Sequence, residues 1–424
     1  TDEALVLRAP QAYLERWLPA AGGLLQEPMF AGAAARAEQA RTYSPGSLRP
    51  ETARALYGAE LHFSSSRIDV LAGCRFAHFL QYGLRAQERE PAEFDSRFYG
   101  TFVHDVLEYI VQQTEREGGF AAVPRSRVQE LAQERMEQNA QTLLETFPDS
   151  GRTGYLLRRT FDEVTQVVDE LYDELSVSAF RPKFCELEFS ARGALPGVAF
   201  AGERCRGVVE GFVDRVDVWQ SGGRPYVRVV DYKTGKKSFD YTNVLHGRGL
   251  QMLLYLFALV RQGGHLLHGE PLPAGVLYFP ARIERVSVRD RLAQAEIEKE
   301  RRKQLRRSGV LLNSDPVLEA MEPCGGSPRF LPYTLDKEGR KTGDLASFVQ
   351  LAQLERFVFR TVAALGDELA DGCIDPDPCI RDAKDSACAF CPYSEICAGH
   401  EQPRWLKKIT AEEFWQTLER REHG

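Results

Sequence analysis

The 424-residue chain is short of several things, and each shortage removes a class of function. It has no N-terminal signal-peptide pattern. Its longest apolar run, Leu250 to Val260, is interrupted by Gln251 and is too short to cross a bilayer. A cytoplasmic chain with no membrane contact is therefore expected. There is no surplus of basic residues: the formal net charge is −7, which argues against a nonspecific nucleic-acid binder. Metal-binding carboxylates also lower the total, however, and a local basic groove can still hold phosphates. A Gly-x-x-x-x-Gly-Lys-Ser/Thr phosphate loop is missing, because Thr234-Gly235-Lys236-Lys237-Ser238 lacks the first glycine. No ATP motor is expected in this chain. No repeat of solenoid period is found. An even cysteine count is absent too: nine cysteines without a secretory signal exclude a disulfide framework. The first residue is Thr1 rather than Met, so a piece of a longer protein is expected.

What is present suits a large buried core, with hydrophobic residues at 43%. Residues 1–60 are rich in Ala, Gly and Arg, with helical stretches around Ala12–Leu25 and Ala33–Arg41, and read as a linker or the end of a preceding domain. Ser64-Ser65-Ser66 predicts the cap of a helix running to about Tyr82. Further helices fit Gly100–Gln113, 125–147, 153–178, 247–262 and 347–371. Period-two patterning predicts strands over 183–232 and 274–279, followed by strand-like and charged segments to about 345. Glu186 and Glu188 lie on the first of these strands; they could contribute a further carboxylate, but read as structural.

The strongest local signal is a hairpin. One strand runs from Gly207 to Trp219, the other from Tyr226 to Lys233, with Gly222-Gly223 between them as a two-residue turn. If that turn closes the loop, Ser221 pairs with Arg224, and the register sets Asp214 opposite Asp231. Their Cβ atoms would then lie roughly 5 Å apart on one face. Lys233, two residues past Asp231, points to the same face. Two carboxylates suit a hard cation such as Mg²⁺, and a nearby lysine suits the orientation of an attacking water, as phosphodiester hydrolysis requires. The competing reading is a surface hairpin of Asp–Lys ion pairs. His104 and Glu108 share a helical face, which makes His104 a candidate further metal ligand. Gln251 and Tyr255 are likewise four apart, placed to order the lysine or touch substrate, or else a polar edge on a core helix.

Five of the nine cysteines crowd between 373 and 397. Cys388, Cys391 and Cys397 have the spacing C-x₂-C-x₅-C, and Cys74 is the candidate fourth ligand. That set fits a closed zinc site and an iron–sulfur cluster equally well. Cys373 and Cys379 are spare thiols, while Cys185, Cys205 and Cys324 read as small buried residues. The run Lys299–Arg307 holds six Lys/Arg and one Glu, either a solvated helix face or a contact to DNA backbone.

His104 with Glu108, Gly211-Phe-Val-Asp214-Arg215, Asp231-Tyr-Lys233-Thr234-Gly235 and Gln251-x-x-x-Tyr255, in that order, resemble the RecB-like branch of the PD-(D/E)XK nucleases. That resemblance implies metal binding by His104, Asp214 and Asp231, catalysis by Lys233, and an accessory role for Gln251 and Tyr255. Leu61-His-Phe-Ser-Ser-Ser-Arg-Ile-Asp69, Cys74-Arg-Phe, Tyr82-Gly-Leu-Arg85 and Gly100-Thr-Phe-Val-His104 are similar to the AddB-type subunits of bacterial helicase–nucleases, over about residues 56–400. This second resemblance implies a [4Fe–4S] cluster on Cys74, Cys388, Cys391 and Cys397. It also implies a partner helicase of the AddA type and a DNA single strand as substrate during double-strand-break processing. The expected architecture is an α/β, restriction-endonuclease-like core. A mixed sheet flanked by helices would occupy 61–400, after a helical lead-in over 1–60 and before a helical tail over 401–424. A stand-alone exonuclease and an inactive DNA- or partner-binding scaffold are the rival readings. The 1–60 lead-in counts against the first, and Asp214, Asp231 and Lys233 together count against the second.

Overall fold

A computed structural model describes residues 46–86, 96–146, 151–235, 238–283, 294–394, 396–397 and 403–423. The helical stretches expected around Ala12–Leu25 and Ala33–Arg41 lie outside these described residues.

The core is a mixed sheet of eight strands. Its first members are β1 Leu61–Ser64, β2 Arg181–Phe189, β3 Val198–Ala201, β4 Arg206–Ser221 and β5 Arg224–Lys233. β6 Leu272–Pro280 and β7 Ser308–Leu312 follow. The short strands β8 Tyr333–Leu335 and β9 Lys341–Gly343 pair only with each other, and β10 Leu345–Ala346 returns to the core. The order across the sheet is β1-β4-β5-β6-β7-β10, with β2 and β3 also paired to β4. β5 and β6 run parallel, which needs a crossover; it passes through α7 (Tyr241–Leu245) and α8 (Gln251–Gln262). Eight of the twelve residues of α8 are buried, from Met252 to Leu259, because this helix lies directly on β5 and β6. The chain thus has the mixed sheet with flanking helices that the sequence implies.

The N-terminal helices of the described core are α1 (Pro50–Tyr57), α2 (Ser65–Gly73) and α3 (Arg75–His78), followed by a π turn, Phe79–Gly83. One helix is expected from Ser64 to Tyr82; the structure breaks it at Cys74. Ser64 caps α2 as expected, its hydroxyl accepting from Arg67 N at 3.2 Å. Cys74 itself is extended, with φ −164° and ψ 122°. Beyond it Arg75 N donates to Asp377 Oδ1 at 3.1 Å, so a long-range partner replaces the helical one. Three long helices follow: α4 (Ser96–Arg116), α5 (Arg125–Thr146) and α6 (Gly151–Val177).

After β6, the segment expected to be mostly strand-like also contains α10 (Gln294–Leu305) and α11 (Asp315–Met321), α9 being the short turn Gly264–Leu267. The long helix α12 (Phe348–Ala370) begins with a capping box between Ser347 and Gln350. The C-terminal helix α13 (Ala411–His423) adds Phe414, Trp415 and Leu418 to the same core that contains Leu61 and Leu254. No helix among the described residues is long and apolar enough to cross a membrane.

Candidate active site

The hairpin forms in the expected register. Gly222 and Gly223 have φ of +57° and +76°, the backbone of a type I′ turn, and Ser221 pairs with Arg224. The ladder runs back to Arg215 opposite Val230 and ends there. One step further, Asp214 stands across from Asp231.

The strands part at this point because β4 changes partners. Its first residues, Gly207 to Glu210, pair with β1 and β3, and Gly211 forms the bend. A Cβ on Gly211 would lie 2.1 Å from Tyr255 Oη, so only glycine lets β4 pass this close to α8. With the ladder ended, the main-chain groups of Tyr232 are free for side chains. Tyr232 N donates to Asp214 Oδ2 at 2.7 Å, and Tyr232 O lies 2.8 Å from His104 Nε2. A carbonyl only accepts, so that ring nitrogen carries the proton and Nδ1 keeps its lone pair. His104 Nδ1 then lies 3.5 Å from Asp214 Oδ2, its lone pair turned toward the carboxyl.

Glu186, which the sequence reads as structural with a carboxylate role left open, joins them. Cys185 pairs with Arg215 and Leu187 with Val213, which sets Glu186 across from Asp214 on the other flank of β4. Ligand atoms of His104, Glu186 and Asp214 lie within 4.8 Å of one another. Glu186 holds φ at +47°, a conformation that costs a non-glycine residue about 1–3 kcal/mol and clusters at functional sites. The two acidic residues at 186 and 188 are the only sequence sign of it. No short turn ties β2 to β4, so their register is not readable from the sequence.

Electrostatics favour a cation here. Burial pushes the Asp214 carboxyl up to about 8, with Asp231 adding its repulsion. Burial also raises Glu186, helped by Glu108 and Asp231, and burial lowers His104, which keeps the imidazole neutral. Asp231 is buried, and its Oδ2 makes no hydrogen bond among the described residues. Lys233 Nζ approaches that oxygen at 2.5 Å as an ion pair without hydrogen-bond geometry. One imidazole and two carboxylates thus form a group of the kind that binds a hard divalent ion, and Asp231 lies outside it, ion-paired with Lys233.

The remaining expected residues fall in different places. Glu108 accepts from Gln112 Nε2 at 2.8 Å and stays outside the His104–Glu186–Asp214 group. Gln251 opens α8 and is part exposed. Tyr255 is buried, and its hydroxyl donates to Glu210 O at 3.4 Å. Of the readings open for Tyr255, its burial fits a residue of the core helix, with its hydroxyl set against the bend of β4. Within the basic run, Arg307 is neither solvated nor free for DNA: it is buried, with Nε donating to Glu174 at 2.8 Å.

The cysteine-rich tail docks on the α2–α3 break. Arg75 pairs with Asp377 at 2.7 Å, Arg404 Nη2 donates to Ala72 O at 2.6 Å, and Tyr393 Oη donates to Ala86 O at 2.7 Å. This brings the four expected cysteines into one neighbourhood. Burial pushes the Cys74 thiol up to about 11, and Cys397 lies near enough to add to that shift. Cys391 and Cys397 act on Cys388 in the same way, after its own burial. The spare thiols have partners of their own: Cys379 donates to Ala72 O at 3.3 Å and Cys373 to Asp375 at 3.4 Å. Cys185, Cys205 and Cys324 are part exposed rather than buried as expected, since each lies at the margin of the core.

Known proteins are similar to this sequence. A subunit of the ATP-dependent helicase/deoxyribonuclease of Moorella thermoacetica is 34% identical over 357 residues, covering 83% of this chain and 31% of the relative. The like-named subunit from Caldanaerobacter subterraneus is 31% identical over 366 residues, 82% of this chain and 30% of the relative. That from Oceanobacillus iheyensis is 28% identical over 364 residues, 83% of this chain and 31% of the relative. The chain thus spans about a third of the length of the curated relatives it matches. The family model of the PD-(D/E)XK nuclease superfamily matches residues 62–398, the span that contains the sheet, the carboxylates and the tail cysteines, and the chain belongs to that superfamily.

Proposed function

We propose that this chain is the metal-dependent deoxyribonuclease part of a helicase–nuclease, cutting one DNA strand that a partner motor has unwound. The observation that carries the reading is the convergence of His104, Asp214 and Glu186, with Asp231 and its Lys233 ion pair on the neighbouring strand. The names of the relatives, which join an ATP-dependent helicase to a deoxyribonuclease, support the DNA substrate and the partner. The absence of a phosphate loop from this sequence agrees with a motor of the AddA type in another chain or segment.

In this reading His104, Asp214 and Asp231 hold a cation of the Mg²⁺ class, and Glu186 adds a carboxylate to it. The bound cation supplies an activated water and neutralises charge that develops on the phosphate. Asp214 and Asp231 fix the side from which the phosphodiester approaches. Lys233 orients the attacking water and offers its ammonium to the oxyanion of the transition state. Gln251, at the exposed start of α8, faces the substrate side. Tyr255 and Gly211 keep β4 bent so that Asp214 leaves the ladder.

Cys74, Cys388, Cys391 and Cys397 hold a [4Fe–4S] cluster in this reading. Hydrolysis transfers no electrons, so the cluster's part is to fasten the tail to the α2–α3 break. The test is digestion of end-labelled single-stranded DNA with and without Mg²⁺. No cleavage by protein with intact metal content, at any Mg²⁺ concentration, would refute the reading.

A further inference from the structure

The face of the hairpin opposite the site carries charge where a core would normally be apolar. Arg215, Asp217 and Arg228 are fully buried there, together with Glu174 from α6 and Arg307 from the approach to β7. Asp217 bridges the two hairpin strands, accepting from Arg215 Nε and from Arg228 Nε, each at 2.8 Å. Glu174 accepts from Arg228 Nη2 at 3.0 Å and from Arg307 Nε at 2.8 Å. Three guanidinium groups therefore meet two carboxylates out of reach of water. Each buried ion costs several kcal/mol to desolvate, and apolar side chains of similar volume commonly give equal or greater stability. A gain in stability is thus a poor reason for this network, and a gain in fixed geometry is a better one.

The network reaches the site at one residue. Arg215 Nη1 donates to Tyr232 Oη at 3.0 Å, the uncharged side chain to which the described network extends. The Tyr232 ring is also held edge-on by Phe279, with centroids 5.5 Å apart. Its peptide groups are the ones that bind Asp214 Oδ2 and His104 Nε2. The β4–β5 ladder has already ended at Arg215 and Val230, so β6 alone holds this stretch of β5 by sheet pairing. Pinning the ring sets the direction of the Tyr232 N–H and C=O, which in turn set the carboxylate and the imidazole tautomer.

We propose that Tyr232 and Arg215 are positioning residues for the metal site, through which the buried Arg–Asp–Glu network holds Asp214 and His104 in their ligating geometry. The proposal rests on the nuclease reading above. Partners that orient metal ligands in this way contribute on the order of 10- to 100-fold in metal affinity.

Tyr232→Phe removes the hydroxyl and keeps the ring and the peptide. Calorimetric titration of the full chain with Mn²⁺, without DNA, reads the effect directly. The expected result is binding weaker by on the order of 10-fold. The Mg²⁺ concentration for half-maximal cleavage should rise in parallel. Leu171→Ala, a cavity in α6 away from the ligands, is the control: it should lower Tm and leave Mn²⁺ affinity unchanged. Wild-type Mn²⁺ affinity in Tyr232→Phe would overturn the proposal while leaving the nuclease reading intact. Equal weakening by Leu171→Ala would overturn it too, since general destabilisation would then suffice. A wild-type chain that neither binds Mn²⁺ nor cuts DNA would remove the nuclease reading itself.

Discussion

His104 Nδ1 and Asp214 Oδ2 face each other across 3.5 Å, and the Tyr232 peptide has used the hydrogen-bonding partners that would otherwise separate them. The ring proton points to the carbonyl of Tyr232, and the amide of Tyr232 points to the carboxylate. A proton on Asp214, whose carboxyl burial pushes up to about 8, can sit between them, and a bound cation can take its place. Removing either ligand should therefore abolish metal-dependent cleavage without harming the fold. Asp214→Asn and Asp231→Asn are expected to lower the cleavage rate by about 1,000-fold, corresponding to about 4 kcal/mol of transition-state stabilisation. In chelator, Asp214→Asn should melt at or above the wild-type temperature, because it relieves repulsion between buried carboxylates. Full cleavage by Asp231→Asn would show that a different carboxylate does the work.

Glu186 separates function from stability. Its positive φ is strained, and its half-buried carboxylate lies near Glu108 and Asp231. Glu186→Gly removes both penalties and should raise stability by about 1 kcal/mol. The same change deletes a carboxylate from the group around Asp214, so Mn²⁺ binding should weaken. Denaturant unfolding and calorimetric titration of one sample check the two halves. A variant that is less stable and binds metal normally would mean that Glu186 is an ordinary strand residue.

These residues also show what a sequence can reveal. The turn at Gly222-Gly223 is local, and a two-residue loop has only one register, so the opposition of Asp214 and Asp231 is readable without coordinates. His104 is readable from helical spacing and its place in an ordered set of motifs. Glu186 is not, because its opposition to Asp214 depends on the pairing of β2 with β4, and β3 is inserted between them. Arg307 misleads for a related reason. Its neighbours in sequence are basic and look solvated, while its partner Glu174 is 133 positions away. The break at Cys74 hides in an unbroken helical pattern, since what replaces the helix is Asp377 in the tail.

Gly211 offers a test of the bend in β4. A methyl group at this position would collide with Tyr255 Oη at 2.1 Å, and the ring carbon behind it is 3.3 Å away. Gly211→Ala is expected to cost about 2–3 kcal/mol, as overpacked cores do, and to reduce cleavage by displacing Asp214. Tyr255→Phe removes the colliding oxygen. The double variant Gly211→Ala/Tyr255→Phe should regain only part of the lost stability, since the collision is relieved while the φ of +155° still strains a side chain at this position. A double variant no more stable than Gly211→Ala alone would show that the strain lies entirely in the backbone.

The cysteine cluster should behave as a fastener. Its ligands Cys74 and Cys388 are 314 residues apart. Closing a loop of that length restricts the unfolded chain by roughly 5–6 kcal/mol on the chain-entropy account. The hydrogen bonds of Arg75, Arg404 and Tyr393 already dock the tail, so a variant without the cluster should loosen rather than unfold outright. Cys74→Ala and Cys397→Ala are each expected to lose iron and the visible absorbance of the cluster, to melt lower, and to bind single-stranded DNA more weakly. Cys379→Ala should keep its iron, because that thiol is already engaged with Ala72 O. Iron content, Tm and DNA affinity, measured on the same preparations, decide between outcomes. Native protein with zinc and no iron would overturn the cluster, and iron loss with unchanged Tm and DNA binding would overturn its role as a fastener.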